Sequence, residues 1–212
     1  MKHRSTAATA LLAVLLACAA CSRQRSAGNA GAAGDSAGTA SAPAVAALHP
    51  AEPSLFELAF ALTDADAKPR HLGEFRGQVF VASMIYTHCT SVCPRIIADL
   101  QRLERALPDG VRSRTRFVLL SLDPERDTPA ALRAFAQDHA LDPARWTLLA
   151  AGPDDMRTLA AVIDVRFRPD AGGEIAHSAV IVVVGGDGVI RYRQVGLDAD
   201  PSALVTAVRA AQ

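Results

Sequence analysis

Apolar residues run almost unbroken from Gln78 to Tyr86 (QVFVASMIY) and again from Arg116 to Ser121 (RFVLLS), the pattern of strands buried on both faces. Between them Ile96, Leu100, Leu103 and Leu107 recur at helical spacing behind Pro94, whose missing N–H leaves no bond unmade in a first helical turn. Asp123 to Pro129 (DPERDTP) turns the chain into a second helix, which Thr128 or Asp127 can cap and whose buried face holds Leu132, Phe135 and Ala136. A short strand at Trp146 to Leu149 leads to a helix marked by Met156, Leu159, Ala160 and Ile163. Ala179 to Val195 reads as two β-rich runs about a Gly-Gly-Asp-Gly turn, hence a hairpin, and an amphipathic helix runs from Pro201 to the end.

This order predicts an α/β domain over residues 54–212. It matches a thioredoxin-like fold, a mixed central sheet flanked by helices, with an extra N-terminal hairpin expected between Leu55 and Arg76. The first residues depart from the pattern. Lys2, His3 and Arg4 precede an apolar run ending in small residues and cysteine, which predicts a secretory signal over residues 1–17. The run falls short of the roughly 20 residues that span a bilayer, so a transmembrane helix is the weaker reading. Leu15-Leu16-Ala17-Cys18 resembles a bacterial lipobox, with Cys18 or Cys21 as the lipidated residue; cleavage without a lipid is the alternative. Residues 18–53 are rich in Ala, Gly and Ser, and such a stretch cannot bury enough apolar surface to order itself. About 30 residues of this coil reach roughly 30 Å, enough to hold a domain off a membrane.

Charge narrows the partners. The 22 basic and 22 acidic residues cancel, so no broad field favours nucleic acid or an anionic lipid surface. With 212 residues, 50% of them hydrophobic, the chain can bury a full core without a disulfide staple. Two of its four cysteines lie in the leader and two in Thr87 to Arg95 (THCTSVCPR).

Cys89 and Cys93, four apart at the start of a helix, have Cα atoms about 6 Å apart, within disulfide range and able to converge on one ion. A helix N-terminus stabilises the thiolate, the form that attacks disulfides and binds metals. A structural bridge here closes almost no chain and gains little. Ala176-His177-Ser178 stands immediately before the strand from Ala179. In a thioredoxin-like sheet that position packs beside the cysteine loop, so His177 could complete a three-coordinate site. Two thiolates and an imidazole suit Cu(I); Zn(II) needs a fourth ligand. Thioredoxin-type oxidoreductases usually carry a cis proline where this chain has Ala176-His177, and the nearest upstream proline is Pro169, which favours metal over dithiol exchange. His88 is a candidate accessory ligand, Met84 reads as core, and Asp123 and Asp127 either line the rim or serve capping and turn formation. His139 falls on a polar helix face, and His49 and His71 have no partner in view.

The Cys89-x-x-x-Cys93-Pro94 motif, the run Ser121 to Pro129 (SLDPERDTP) and His177-Ser178 together resemble the Sco/SenC family, over roughly Leu55 to Gln212. That resemblance implies a thioredoxin-fold protein that handles copper in assembly of the CuA centre of cytochrome c oxidase, with Cys89, Cys93 and His177 as ligands. It implies a metallochaperone exported to the periplasmic side of a bacterial membrane and tethered there through a lipid. The resemblance further implies oxidase subunit II or another copper enzyme as acceptor, and a thiol reductant protein that keeps the cysteines reduced. The alternative is a thiol-disulfide reductase, with Cys89 and Cys93 as the catalytic redox pair, acting on the cysteines of a copper-site acceptor. Two departures stand out: the family commonly has proline after its first cysteine and an acid before its histidine, where this chain has Thr90 and Ala176.

Overall fold

Two short strands, β1 (Leu62–Asp64) and β2 (Pro69–Arg70), form the expected N-terminal hairpin in a computed structural model that describes residues 53–212. The leader, Cys18, Cys21, the Ala/Gly/Ser-rich stretch as far as residue 52 and His49 lie outside the described residues. Asp64 shapes the hairpin turn: its carboxylate accepts from the amides of Asp66 and Lys68, each at 2.9 Å, and from the Arg70 guanidinium.

The remaining elements follow the predicted alternation. β3 (Val79–Ile85) leads to α1 (Val92–Ala106), and a one-turn helix, α2 (Asp109–Arg112), precedes β4 (Thr115–Ser121). Then come α3 (Pro129–Asp138), β5 (Trp146–Ala151) and α4 (Pro153–Ile163). A ribbon of β6 (Phe167–Pro169) and β7 (Ile175–His177) precedes the hairpin of β8 (Val180–Val184) and β9 (Ile190–Val195), and α5 (Ser202–Ala210) ends the chain. The hydrophobic pattern did not announce α2 or the ribbon: α2 buries no residue, and the three-residue strands of the ribbon are too short to show a period.

The main sheet has the order β2-β1-β5-β4-β3-β8-β9, with β3, β4 and β5 parallel and antiparallel strands on both flanks. Every residue of β3 and β8 is buried, as continuous apolar runs require, and each such Val or Ile side chain contributes about 1.5–3 kcal/mol relative to exposure. Helices α1 and α5 pack together, while α3 and α4 lie against β5. The β8–β9 turn at Gly185–Val189 pins the start of the domain: Leu55 N–H donates to Gly188 O at 2.8 Å and Ser54 Oγ to Asp187 O at 2.7 Å. Gly188 has φ +82° and lies so close that a Cβ would fall 2.4 Å from Ser54 Oγ, so only glycine fits. The domain is therefore entered at the N-terminal end of β3, opposite the cysteine loop.

Candidate metal centre

Parallel pairing brings the chemistry to one end of the sheet. Ile85 lies opposite Ser121, so β3 and β4 leave the sheet together at their C-terminal ends. β8 runs the other way, with Ser83 opposite Ile181, so its entry at Ser178-Ala179 reaches the same end. Open α/β sheets leave backbone groups free for ligands at the carboxyl ends of their parallel strands, and here the three sequence motifs meet there.

Asp127 joins two of them. Its Oδ1 accepts from the Thr87 amide at 3.0 Å and the Thr87 hydroxyl at 2.6 Å, and its Oδ2 from Ser121 Oγ at 2.6 Å. Its side chain is therefore a tie between the cysteine loop and the β4–α3 turn, while Thr128 caps α3 by accepting from the Ala131 amide. Burial pushes the Asp127 carboxyl above its ordinary value, and the bonds from Ser121 and Thr87 oppose that only in part.

The two thiols are unlike. Ser91 sits at the N-cap of α1 without a side-chain capping bond; instead the Cys93 amide donates to Cys89 Sγ at 3.2 Å, placing that sulfur at the positive end of the helix. Burial alone would push the Cys89 thiol up, but the Cys93 thiol and amide and the Ser91 amide favour its anion, and the balance lies below the ordinary thiol value. Cys93 has no exposed surface, and burial, reinforced by its bond to Cys89, pushes it far up. Cys89 is therefore the first to ionise, and Cys93 holds its proton until something displaces it. Both thiols are free.

His177 ends β7, so it belongs to a short strand rather than to an irregular loop before β8. Its Nδ1 lies 3.1 Å from Ser178 O, an atom that can only accept, so Nδ1 carries the proton and Nε2 presents a lone pair. That lone pair faces Cys93 Sγ at 3.5 Å. Burial lowers the pKa of His177, with the Ser178 carbonyl opposing, and the ring is neutral at neutral pH. The carbonyl does the orienting that an acid at position 176 would otherwise do; Ala176 itself is exposed. One ligand atom each from Cys89, Cys93 and His177 lie within 4.8 Å of one another, the convergence expected from sequence. Two sulfurs and one imidazole nitrogen, mostly shielded from water, fit a soft monovalent ion.

Other candidates fall elsewhere. His88 is exposed, with Nδ1 3.1 Å from Thr87 Oγ1, and groups with Asp123 and Asp127 rather than with the thiols. Those two carboxylates are already occupied, Asp127 by Thr87 and Ser121, Asp123 by the Arg126 guanidinium. Met84 is core, His71 N-caps a 3₁₀ turn, and His139 ends α3 with its ring 4.3 Å from that of Phe135. Pattern reasoning missed Tyr86 as a site residue. Its ring meets that of His177 edge-on at 5.9 Å, and burial together with the Glu174 carboxylate pushes its phenol up, so the hydroxyl stays protonated. A tyrosine ending a wholly buried strand was the available signal, because a buried phenol needs a partner.

The fold and the site define a thioredoxin-like domain whose two cysteines and facing imidazole are grouped as metal ligands would be. This chain belongs to the SCO1/SenC family, whose family model matches residues 49–211. It is 25% identical over 148 residues to the SCO1 protein homolog of Bacillus subtilis, covering 67% of this chain and 75% of that protein. Among solved structures it resembles a SCO1/SenC family lipoprotein from Bacillus anthracis, with TM-score 0.65 and 23% identity over 72% of this chain and 92% of that one. It also resembles Bradyrhizobium japonicum ScoI with copper bound, with TM-score 0.60 and 24% identity over 72% of this chain and 97% of that one.

Proposed function

We propose that the protein is a copper metallochaperone that holds Cu(I) on Cys89 Sγ, Cys93 Sγ and His177 Nε2 and passes it to a membrane oxidase of the CuA type. The observation that carries this is the imidazole: its tautomer is set by Ser178 O so that the bare Nε2 faces the thiol pair. A merely structural dithiol has no use for such a group. On loading, Cys89 enters as thiolate and Cys93 gives up its proton to solvent; on delivery, acceptor ligands replace the three donors in turn and Cys93 takes a proton back. The family resemblance implies cytochrome c oxidase subunit II as acceptor. The copper-bound relative shares the fold that supports this reading.

The fragment 47–212, which forms one compact unit, provides the test. Titrated anaerobically against a chromophoric Cu(I) chelator, it is expected to withdraw one ion per chain and to lose this capacity once both thiols are alkylated. A fragment that takes no copper from the chelator overturns the reading.

The asymmetry of the two thiols supports a second activity, reduction of the acceptor's own disulfide. The Cys89 thiolate attacks one acceptor sulfur and releases the other as thiolate. Cys93 then loses its proton and attacks Cys89 Sγ, closing the Cys89–Cys93 bridge and freeing the second acceptor thiol. Two electrons pass to the acceptor, and a thiol reductant protein restores the pair.

The same proposal places the domain outside the cytoplasm on a lipid tether, since a solved relative is named a lipoprotein and Leu15-Leu16-Ala17-Cys18 resembles a lipobox. No helix among the described residues is long and apolar enough to cross a membrane. Labelled fatty acid is expected to enter the full chain and to vanish when Cys18 and Cys21 are both replaced by Ser; label that persists rules the anchor out.

A further inference from the structure

His177 is carried by a ribbon that no strand pairing ties to the main sheet, although Ile175 is in the core and Phe167 packs against it. β6 and β7 are three residues each, they form a sheet of their own, and neither pairs with the main sheet. An isolated two-stranded ribbon is marginal in water even when longer. Here the Pro169–Ile175 pair carries no ladder hydrogen bond, and the Ile175 amide points outward from the ribbon. Its position must come from contacts outside the ladder.

Tyr86, on the cysteine side, supplies two of them, one part-buried and one buried. Its hydroxyl donates to Glu174 Oε2 at 2.8 Å and accepts the Ile175 amide at 3.3 Å. The Ile175 amide thus bonds to the cysteine strand's own extension, two residues from His177. Tyr86 is 2% exposed and its carbonyl also takes the Cys89 amide at 3.2 Å, so one residue touches both halves of the site. The Arg126 guanidinium holds Gly173 O from the exposed side, and Ser178 and Arg166 close the open end of the ribbon through the Ser178 amide and hydroxyl.

We propose that Tyr86 and Glu174 form a latch that keeps the His177 ribbon closed over the two cysteines, which makes Tyr86 a positioning residue of the metal centre. The latch rests on the reading of His177 as a ligand, and it sets how long that ligand stays in place. Opening breaks the phenol–carboxylate bond and exposes the Ile175 amide. His177 then swings off while the cysteines, anchored through Thr87 and Asp127, remain, which leaves a two-sulfur site able to surrender its ion.

Tyr86→Phe keeps the ring and its packing and removes only the hydroxyl, leaving the buried Ile175 amide without a partner. Glu174→Ala removes the exposed carboxylate that accepts from the phenol. In the metal-free fragment, amide hydrogen exchange across residues 166–178 is expected to accelerate about tenfold or more in both variants, while β3 and α1 keep their protection. Cu(I) affinity should fall about tenfold in Tyr86→Phe, and the double variant with His177→Ala should bind no more weakly than His177→Ala alone. Glu174→Gln, whose amide oxygen still accepts from the phenol, should retain most of the affinity. Unchanged exchange in the ribbon overturns the latch. So does an equal affinity loss from Tyr86→Phe with and without His177, which would place its action on Cys89. If His177→Ala itself leaves copper affinity unchanged, the ligand assignment fails, and the metal-free exchange still decides the latch.

Discussion

Cys89→Ser is expected to abolish Cu(I) binding and disulfide reduction together, whereas His177→Ala is expected to weaken copper binding and leave dithiol exchange nearly intact. The Cys89 sulfur is the group at the positive end of α1, bonded by the Cys93 amide and held below the ordinary thiol value. A serine hydroxyl in its place is neither a soft ligand nor ionised at neutral pH, so both chemistries stop. The imidazole enters only the metal reading: it faces Cys93 at 3.5 Å through an atom with no proton. Losing one donor of three should cost at least the roughly 10- to 100-fold that follows loss of an outer partner. Cu(I) affinity and reductase rate measured on the same three proteins give the answer. Equal copper affinity in His177→Ala and the parent chain would remove the histidine from the centre and leave the reductase reading ahead.

Asp127→Ala is expected to lower stability by about 3 kcal/mol, because three donors at once, the buried Ser121 hydroxyl and the part-buried Thr87 amide and hydroxyl, lose their acceptor. For a domain of this size that is a fall in Tm of about 10 °C. The pH dependence has a definite sign. Since burial raises the folded value of this carboxyl, the folded state holds the proton more tightly than the unfolded chain. Its contribution is full below the ordinary value of 3.8 and is lost as pH rises through the raised folded value. Asp127→Asn, which stays uncharged, should therefore be less destabilised than Asp127→Ala and flatten the stability profile over that window. Thermal melts of the three proteins across pH 4–8 test this; an alanine variant within about 0.5 kcal/mol of the parent, the range of ordinary surface changes, would show that the cysteine loop does not depend on the tie.

The residues that carried most of the fold did so through periodicity. Val79 to Ile85 and Val180 to Val184 are buried without a break, and a continuous apolar run has few alternatives to a doubly covered strand. The helix marked by Ile96, Leu100 and Leu103 buries those residues for the same reason. Periodicity fails where an element is too short to repeat, so the β6–β7 ribbon stayed hidden and His177 was expected in a loop.

The candidate ligands themselves were legible as residue types at telling spacings. Cys89 and Cys93 are four apart at the entry to α1, Cys93 in its first turn and Cys89 in the loop before it, a spacing that lets both reach one point, and His177-Ser178 before an apolar strand is a local pattern. Local spacing also narrowed the cap to Thr128 or Asp127, because capping joins residues close in sequence, and Thr128 takes the place.

What only the tertiary structure decided is everything that depends on a distant group or on loss of water. Asp123 and Asp127 could be rim or turn residues on sequence alone; the folded chain commits Asp127 to Thr87, forty positions away. The chain has Ala176 where the family commonly has an acid, and the neighbouring Ser178 carbonyl orients the imidazole once β7 turns into β8. The two thiols read alike in sequence, yet Cys89 becomes the readier anion and Cys93 the reluctant one, since helix amides and burial act on them unequally. Tyr86 looked like the last apolar residue of a strand, and its polar tip found Glu174 eighty-eight positions later. Sequence pattern sets local conformation because backbone and neighbouring side chains act over a few residues; protonation state, tautomer and hydrogen-bond partner are set by what folding brings near and by the water it removes.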